Sequence, residues 1–576
     1  MTALANCQKS FFPECKLMEN FSRRLLSHLK NQPDKIILHL QKSGLSDSHI
    51  SYQELISHSA RYAEVLLKAG VNPGEVVIII LQHSLDLVYA YFGTILNGSI
   101  PSIMPFLTEK LLPDKYRNDL NVLIAITKPS ALISYKEYEP EISYLYDDRD
   151  IKAIILAEDI DPSQQFDLKN YLPKGLENNP DEIVLLQHSS GTTGLQKGVA
   201  LSHTAVFNQI NSYKKAIKLD EDDLIISWLP LYHDMGLIAS FLMPILYGTP
   251  LVLMSPFDWV RAPQKLLKAI SDYRGTLCWL PNFAYNFCAK KIREADLENI
   301  DLSCLKAIIN CSEPMRYDSH MMFLKRFQKY GFKEDALATC YAMAENVFAV
   351  TQDGIFNPVT YDEIDLEKFQ RDKVAIPVND KALSTIMVSA GPVIENTEVK
   401  VISDEGKELP ERHLGEIVIK SNCMLTEYYL RPDETKNSFI DGWFKTGDLG
   451  YFADEELYIS GRKKDLIIVG GKNIYPQDIE SIVMEVDGVH PGRAVAFGIM
   501  NEDKGTEDVV VIAEIEPFLI DKKTSLAEEI RRKVTQSTAV ALRQVYLVDE
   551  MWLIKTSSGK IARNANKEKF LRKVVE

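Results

Sequence analysis

Continuous apolar runs of strand length recur between helix-sized segments through most of this chain, and that alternation constrains the fold more than any other feature. The runs are VVIIILQ (Val76 to Gln82), AIIL (Ala153 to Leu156), IVLLQHS (Ile183 to Ser189), LVLM (Leu251 to Met254) and LKAIIN (Leu305 to Asn310). A strand apolar on both faces needs cover on both faces, which crossover helices supply, so the pattern predicts an α/β architecture. No internal repeat, low-complexity tract or heptad run competes with it. The 576 residues, 46% of them hydrophobic, exceed one domain of about 100–200 residues and ask for two or more. Near residue 462 the texture changes. Gly461-Arg462-Lys463-Lys464-Asp465 follows a strand-like LYIS, and new strands (AVAFGI, VVVIAEI) and a charged helix around Leu526 to Ser537 come after it. Composition alone reads this point as a surface turn within one domain; the new strand set predicts a second, smaller α+β domain, dividing the chain into 1–461 and 462–576.

Composition excludes some roles. With 65 basic against 80 acidic side chains the net charge is −15, which argues against nonspecific nucleic-acid binding because neutralising phosphates takes clustered Lys and Arg. The excess acid is uneven. From Lys464 onward there are 17 basic and 18 acidic side chains, so nearly all of it lies in the first 463 residues. Eight scattered cysteines, with no CxxC pair and no Cys/His array of zinc spacing, read as reduced thiols of a cytoplasmic protein. The N-terminal MTALANCQKSFFPECK lacks the basic-then-apolar order of a secretory signal. Met235 to Phe257 carries no charge until Asp258 and approaches the ~20 residues of a membrane span. Pro244 and the Gly248-Thr249-Pro250 turn divide it, so a helix followed by a short strand is expected instead of a span.

The strongest local signal is SSGTTGLQKG, Ser189 to Gly198, directly after the strand IVLLQH. Gly191, Gly194 and Gly198 let the backbone approach a ligand, and the hydroxyls of Ser189, Ser190, Thr192 and Thr193 join Lys197 as donors to anionic oxygens. The loop suits a polyphosphate. Its spacing is neither the Walker GxxxxGK[ST] nor the dinucleotide GxGxxG, so ordinary NTPase and NAD readings lose support.

Six further motifs follow in order: WLPLYHDMGL (Trp228 to Leu237), NCSEPM (Asn310 to Met315), CYAMAEN (Cys340 to Asn346), GWFKTGDLGY (Gly442 to Tyr451), ISGRKKDLIIVGGKNIYPQDIE (Ile459 to Glu480) and KTSSGKIAR (Lys555 to Arg563). Over nearly its whole length the chain thereby resembles the adenylate-forming superfamily of acyl- and aryl-CoA synthetases, peptide-synthetase adenylation domains and luciferases. The resemblance implies a large N-terminal α/β domain, a small C-terminal α+β domain on a hinge, and ATP-dependent activation of a carboxylic acid. It also implies site residues. Ser190, Gly191, Thr192, Thr193, Gly194 and Lys197 would hold the phosphates, and Glu345 with Thr193 would bind Mg2+, a hard cation that prefers oxygen ligands. Tyr341 and Ala342 would lie against the adenine, Asn310, Ser312 and Glu313 would meet the base edge and the phosphate, and Asp448 and Arg462 would take the ribose. Lys560 would reach from the small domain to the substrate carboxylate and α-phosphate, Lys464 would be the hinge, and His233 would stand beside the carboxylate. Trp228, Met235, Gly236 and Ile238 would line the acyl pocket. Asp234 opens an amino-acid reading, since adenylation domains hold the substrate ammonium with an aspartate in this region. The apolar residues after it favour an alkyl chain, at about 0.8 kcal/mol for each buried methylene.

The segment between Glu345 and Gly391-Pro392 spans 46 positions and contains NPVTYDEIDLEKFQRDKVAIPVNDKALST before VSAGPVI. An extra segment here, at about 355–381, resembles the insertion of fatty-acyl-AMP ligases, expected to pack between the domains and hinder a CoA-dependent step. Two positions depart from the pattern: Ala342 stands where a glycine is usual, and Ala390-Gly391-Pro392 where a Gly-Arg-Pro-like stretch is. The implied product is acyl-AMP from a medium- or long-chain fatty acid, for transfer to the phosphopantetheine thiol of an acyl carrier protein. Acyl-CoA synthetase and stand-alone amino-acid adenylation stay open as alternatives. An acidic carrier needs a basic face, and Lys560, Arg563, Lys567, Lys569, Arg572 and Lys573 of the C-terminal tail are the candidates, alongside the reading of a merely solvated helix.

Overall fold

The computed structural model describes residues 19–106, 113–147, 150–161, 166–169, 171–189, 197–378, 383–470, 472–502, 505–538, 540–556 and 560–575. The large N-terminal part is built on two seven-stranded sheets with helices packed around them, and a smaller part follows the 3-10 turn Lys463–Asp465. One sheet runs Leu337–Cys340, Ala307–Cys311, Leu277–Leu280, Ile225–Ser227, Leu251–Met254, Ile36–Gln41 and Ser48–Ser51, parallel but for the last edge strand. The other runs Glu427–Tyr428, Lys197–Ser202, Ile183–Ser189, Ile100–Ile103, Val76–Ile79, Ala131–Ser134 and Ala153–Leu156. Its first two pairings are antiparallel and the remainder parallel.

The apolar runs are these strands, and their two-sided burial is why they lack alternation. Val76–Ile79, Leu251–Met254 and Leu277–Leu280 are buried at every position. The run starting at Val76 leaves the ladder at Ile80, and the strand in Leu305 to Asn310 is offset to Ala307–Cys311. Helices start on side-chain caps: Ser51 with Glu54 forms a reciprocal capping box for Tyr52–Lys68, and Asn20, Ser84 and Ser202 cap Phe21–Asn31, Leu85–Leu96 and His203–Ala216. Each cap satisfies a backbone N–H that the helix cannot, worth about 1 kcal/mol.

Met235 to Phe257 is core. Met235–Leu242 is π-helical, Met243–Tyr247 continues it with Pro244 in its first turn, and Gly248 at φ +83° turns the chain into Leu251–Met254. Among the described residues no helix is long and apolar enough to cross a membrane.

The smaller part has a three-stranded sheet of Val489–Asn501, Thr506–Ile515 and Leu542–Val548, covered by Pro476–Met484, Lys523–Thr538 and Arg563–Val575, with an apolar cluster of its own around Ile479, Val511 and Ile530. Arg462 ends the strand Glu456–Arg462, which pairs with Trp443–Ala453 of the large part, so the expected boundary falls at the last residue of a ladder.

The extra segment folds as strand Tyr361–Asp365, helix Leu366–Asp372 and returning strand Ser384–Val388. Asp365 caps the helix, and Asp362 accepts from Tyr451 Oη at 2.8 Å and pairs with Arg412 at 3.0 Å. Phe369 packs on Tyr451 and Tyr475 at ring-centroid distances of 5.8 and 6.0 Å, and Leu466 borders the same cluster, so the segment touches both parts. Its strand leads to Gly391, where φ is +102° and an added Cβ would stand 2.3 Å from the Gln352 carbonyl carbon. Gly391→Ala is expected to lower the stability of the large part by about 1–3 kcal/mol. A thermal melt of purified variant and wild type reads it as a lower apparent Tm, and equal melts would contradict the close crossing.

Candidate active site

Strands Ile225–Ser227, Ala307–Cys311 and Leu337–Cys340 lie parallel in one sheet and end at the same edge, where open α/β sheets bind ligands. The segments leaving those ends carry Trp228 to Gly236, Ser312 to Arg316 and Tyr341 to Asn346.

On the first segment Trp228 is buried and stacks on Trp259, with ring centroids 3.6 Å apart and planes at 8°. Neither indole N–H meets an acceptor among the described residues. Met235 and Ile238 are buried. Gly236 has no room for a side chain, since a Cβ there would be 2.3 Å from the Pro230 carbonyl oxygen. The wide helical turn from Met235 therefore lies directly against the loop that carries His233. His233 Nδ1 is 2.6 Å from Asp234 Oδ1, which also accepts from the Met235 N–H at 2.8 Å. Burial pushes the Asp234 carboxyl up, but His233, Lys560 and that amide outweigh it and hold it below the usual range. Lys560, from the smaller part, is thus within electrostatic reach of the His233-Asp234 pair. The lysine's own backbone is fixed by reciprocal bonds: its N–H donates to Thr556 Oγ1 at 3.1 Å and its carbonyl accepts from Thr556 N–H at 2.7 Å.

On the second segment Asn310 is fully buried and donates to Asn282 Oδ1 at 3.0 Å, with His320 Nε2 2.9 Å away. Its amide braces the strand end rather than facing the cleft, while its Oδ1 has no partner among the described residues. Ser312 takes φ +69° and donates to Met235 Sδ at 3.9 Å, joining this segment to the first. Glu313 Oε2 accepts from the Phe283 N–H at 3.0 Å.

The third segment meets the end of the ladder before the turn. Tyr341 Oη donates to Asp448 Oδ2 at 2.6 Å, and Asp448 Oδ1 pairs with Arg462 Nε at 3.0 Å. Asp448 raises the Arg462 guanidinium further, and burial with Asp448 beside it pushes the Tyr341 phenol well up. A cavity of about 320 Å³ opens beside this triad, lined by Thr446, Gly447, Arg462, Lys463 and Lys464. Ala342 bridges Ala349 in antiparallel register, an extended conformation open to any residue, so the usual glycine is not required here.

Glu345 is pushed up by burial and partly offset by the Tyr428 hydroxyl, which donates to its Oε1 at 2.8 Å. A carboxylate so placed, with one hydroxyl as its recorded donor, fits a hard cation. Lys197 Nζ sits 4.5 Å from the Tyr428 ring centre and pairs with Glu434 at 2.7 Å, and this lysine holds the Glu434 carboxyl down. Tyr428 and Glu434 escape a reading of motifs because they lie in EYYLRPDE, where they read as strand and helix start. No sequence signal marks them; the fold brings them to Lys197 by pairing Tyr428 with Val199 in the strand that begins at Lys197. Ser190, Gly191, Thr192, Thr193 and Gly194 lie outside the described residues. The structure thus pairs His233 with Asp234 at one place, with Lys560 within electrostatic reach, and Tyr341, Asp448 and Arg462 at another; the Lys464 side chain is exposed at the turn.

Comparison with known proteins bears on the family and the fold. Residues 25–429 match the family model described as AMP-binding enzyme. The chain is 30% identical over 561 residues to the medium-chain-fatty-acid–[acyl-carrier-protein] ligase JamA of Moorena producens (strain JHB), covering 92% of this chain and 91% of that protein. It is 28% identical over 551 residues to the long-chain-fatty-acid–AMP ligase FadD32 of Mycolicibacterium smegmatis, covering 88% and 86%. A solved structure from work on fatty acyl-adenylate ligases of E. coli and L. pneumophila superposes with TM-score 0.89 at 25% identity, covering 98% of this chain and 100% of that one. A fatty acyl-adenylate ligase of L. pneumophila in complex with acyl adenylate and pyrophosphate follows at TM-score 0.74 and 28% identity, covering 96% of each chain. A family match over most of the length, on a fold shared from end to end, makes this chain a member of the AMP-binding enzyme family.

Proposed function

We propose that this chain uses ATP to activate a medium- or long-chain fatty acid as acyl-AMP, releasing pyrophosphate, and passes the acyl group to the phosphopantetheine thiol of an acyl carrier protein. The observation that carries it is the wholly buried apolar helix Met235–Leu242 that starts directly after the His233-Asp234 pair. In the first step a carboxylate oxygen attacks the α-phosphorus. The bond from that phosphorus to the bridging oxygen breaks, and its electron pair leaves with pyrophosphate. Two anions must meet, so the protein's work is to gather donors and positive charge where they meet. Lys560 supplies a cation to the carboxylate and α-phosphate, and Thr192, Thr193 and Lys197 hold the phosphates. Asp448 and Arg462 take the ribose hydroxyls once the Tyr341 hydroxyl yields its place. Glu345 with Thr193 would hold Mg2+, which supplies charge neutralisation on phosphate oxygens. In the second step the carrier thiol attacks the acyl carbonyl, the thioester forms, AMP departs and the thiol proton is released.

Asp234 favours a fatty acid over an amino acid. Its Oδ1 is committed to His233 and the Met235 amide, and Lys560 already compensates its charge, which weakens its pull on a substrate ammonium. The 355–381 segment favours a carrier over CoA, because Phe369 against Tyr475 ties the smaller part to the larger near the turn where Lys464 would pivot. The basic tail is narrower than its composition suggests. Arg563 is bound internally to Asp465 and Glu480, and Lys569 donates to the Trp552 carbonyl at 2.6 Å. Lys567, Arg572 and Lys573 remain to meet an acidic carrier, with Lys573 over the Trp552 ring. A cytoplasmic setting fits the thiols, since Cys278, Cys288, Cys304, Cys311, Cys340 and Cys423 are all unpaired.

ATP–pyrophosphate exchange across a panel of acids tests the reading. Fatty acids should drive exchange and amino acids should not, and Lys560→Ala should lower the fatty-acid rate by about 100-fold, the scale of losing one transition-state donor. Exchange driven by amino acids, or unaffected by Lys560→Ala, would overturn it. The pH profile offers a second test. Glu345 already titrates above the ordinary carboxylate range through burial, and the Tyr428 hydroxyl pulls it down. Tyr428→Phe keeps the ring under Lys197 but removes that donor, so the carboxyl should protonate at higher pH and the acid limb of the exchange profile should move up. A limb that stays put or moves down would contradict the pairing.

A further inference from the structure

Arg316 stands one residue after the NCSEPM segment, at the N-terminal boundary of helix Tyr317–Phe327. Its backbone N–H donates to Asn282 Oδ1 at 3.0 Å, the same oxygen that Asn310 holds from the other side. Its guanidinium leaves the large part altogether and meets Asp478 Oδ1 of the smaller part at 2.9 Å. Asp478 lies in the first turn of helix Pro476–Met484. Two residues on, Glu480 takes Arg563 through both carboxylate oxygens at 2.9–3.1 Å. Arg563 opens the last helix, three residues after Lys560, and also reaches Asp465 at the turn. Contacts thus lead from the Asn310 strand end through Asn282 and Arg316 to Asp478, and the helix that carries both Asp478 and Glu480 joins them to Arg563 at the base of the lysine loop. The links before Arg316–Asp478 lie in the large part and those after it in the smaller part, so this pair is where the route crosses between the two.

We infer that Arg316 and Asp478 are positioning residues for the adenylation step: their ion pair sets the orientation of the small domain in which Lys560 faces His233 and Asp234, and it opens for acyl transfer. This rests on the proposed function for its kinetic part only. Both side chains are partly exposed, at 27% and 31%, so the pair can break and re-form at modest cost. A pair buried in the core could not serve this way, because separating it would leave uncompensated charge.

Charge reversal tests it on the full-length protein with Arg316→Asp, Asp478→Arg and the double swap. Spin labels at Leu172→Cys and Met551→Cys, residues 80% and 79% exposed on the large and small parts, report small-domain orientation without substrate. Each single reversal should add a second distance population and lower the saturated fatty-acid-dependent exchange rate about 3- to 10-fold, with KM for the acid unchanged; the swap should restore one distance and most of the rate. Unchanged distances in the single variants, or a swap no better than the two singles combined, would overturn the inference. If the distances respond and the swap restores them while no variant, nor the wild type, supports fatty-acid-dependent exchange, the positioning contact stands and the proposed function fails.

Discussion

The antiparallel strands Trp443–Ala453 and Glu456–Arg462 close on an ion pair, Asp448 with Arg462, and the small domain hangs from its end. That contact has two duties in one place. Asp448 also receives the Tyr341 hydroxyl, so the carboxylate proposed for the ribose is part of the brace that fixes the last residue before the turn. A ligand competing for Asp448 would act on the mounting of the small domain at once. The rest of the molecule follows from that mount: Lys463 pins the first turn residue to Asp404 and Glu416, and Arg563 ties Asp465 to the lysine loop.

The large part's excess of acid does not lie at its buried carboxylates. The acids of the large part that matter are buried and individually compensated: Asp234 by His233 and Lys560, Asp223 by Lys306, Asp362 by Arg412. Glu345 has no such cation paired to it among the described residues and is pushed up by burial, with the Tyr428 hydroxyl as its partner. The cations that complete these sites come partly from the near-neutral small domain.

Much of this was legible in the chain, and what was not has a physical cause. The two-sided apolar runs marked the central strands because burial on both faces removes alternation, and Ala153–Leu156, Ile183–Ser189 and Leu251–Met254 coincide with them residue for residue. Strand ends drifted where hydrogen bonding, not hydropathy, decides, as at Ile80 and Cys311. The family resemblance grouped Asp448 with Arg462, and the structure sets them opposite each other across one tight hairpin. It could not show that Asn310 turns into the Asn282–His320 network, because that depends on residues 28 positions upstream and 10 downstream. Nor could it find Tyr428, Glu434 or Arg316. Each acts through a partner 83, 237 or 162 residues away, and pairing over such distances exists only after folding.

The choice of acyl acceptor is the part of the mechanism that turns most on the domain contacts, with Phe369 of the extra segment set against Tyr475 beside the pivot. The direct measurement is product analysis after incubating the purified protein with ATP, a fatty acid and either CoA or a phosphopantetheine-bearing acyl carrier protein. Acyl-AMP should accumulate with CoA present and be consumed to the acyl thioester only by the carrier. Abundant acyl-CoA would contradict the assignment and make this chain a CoA ligase.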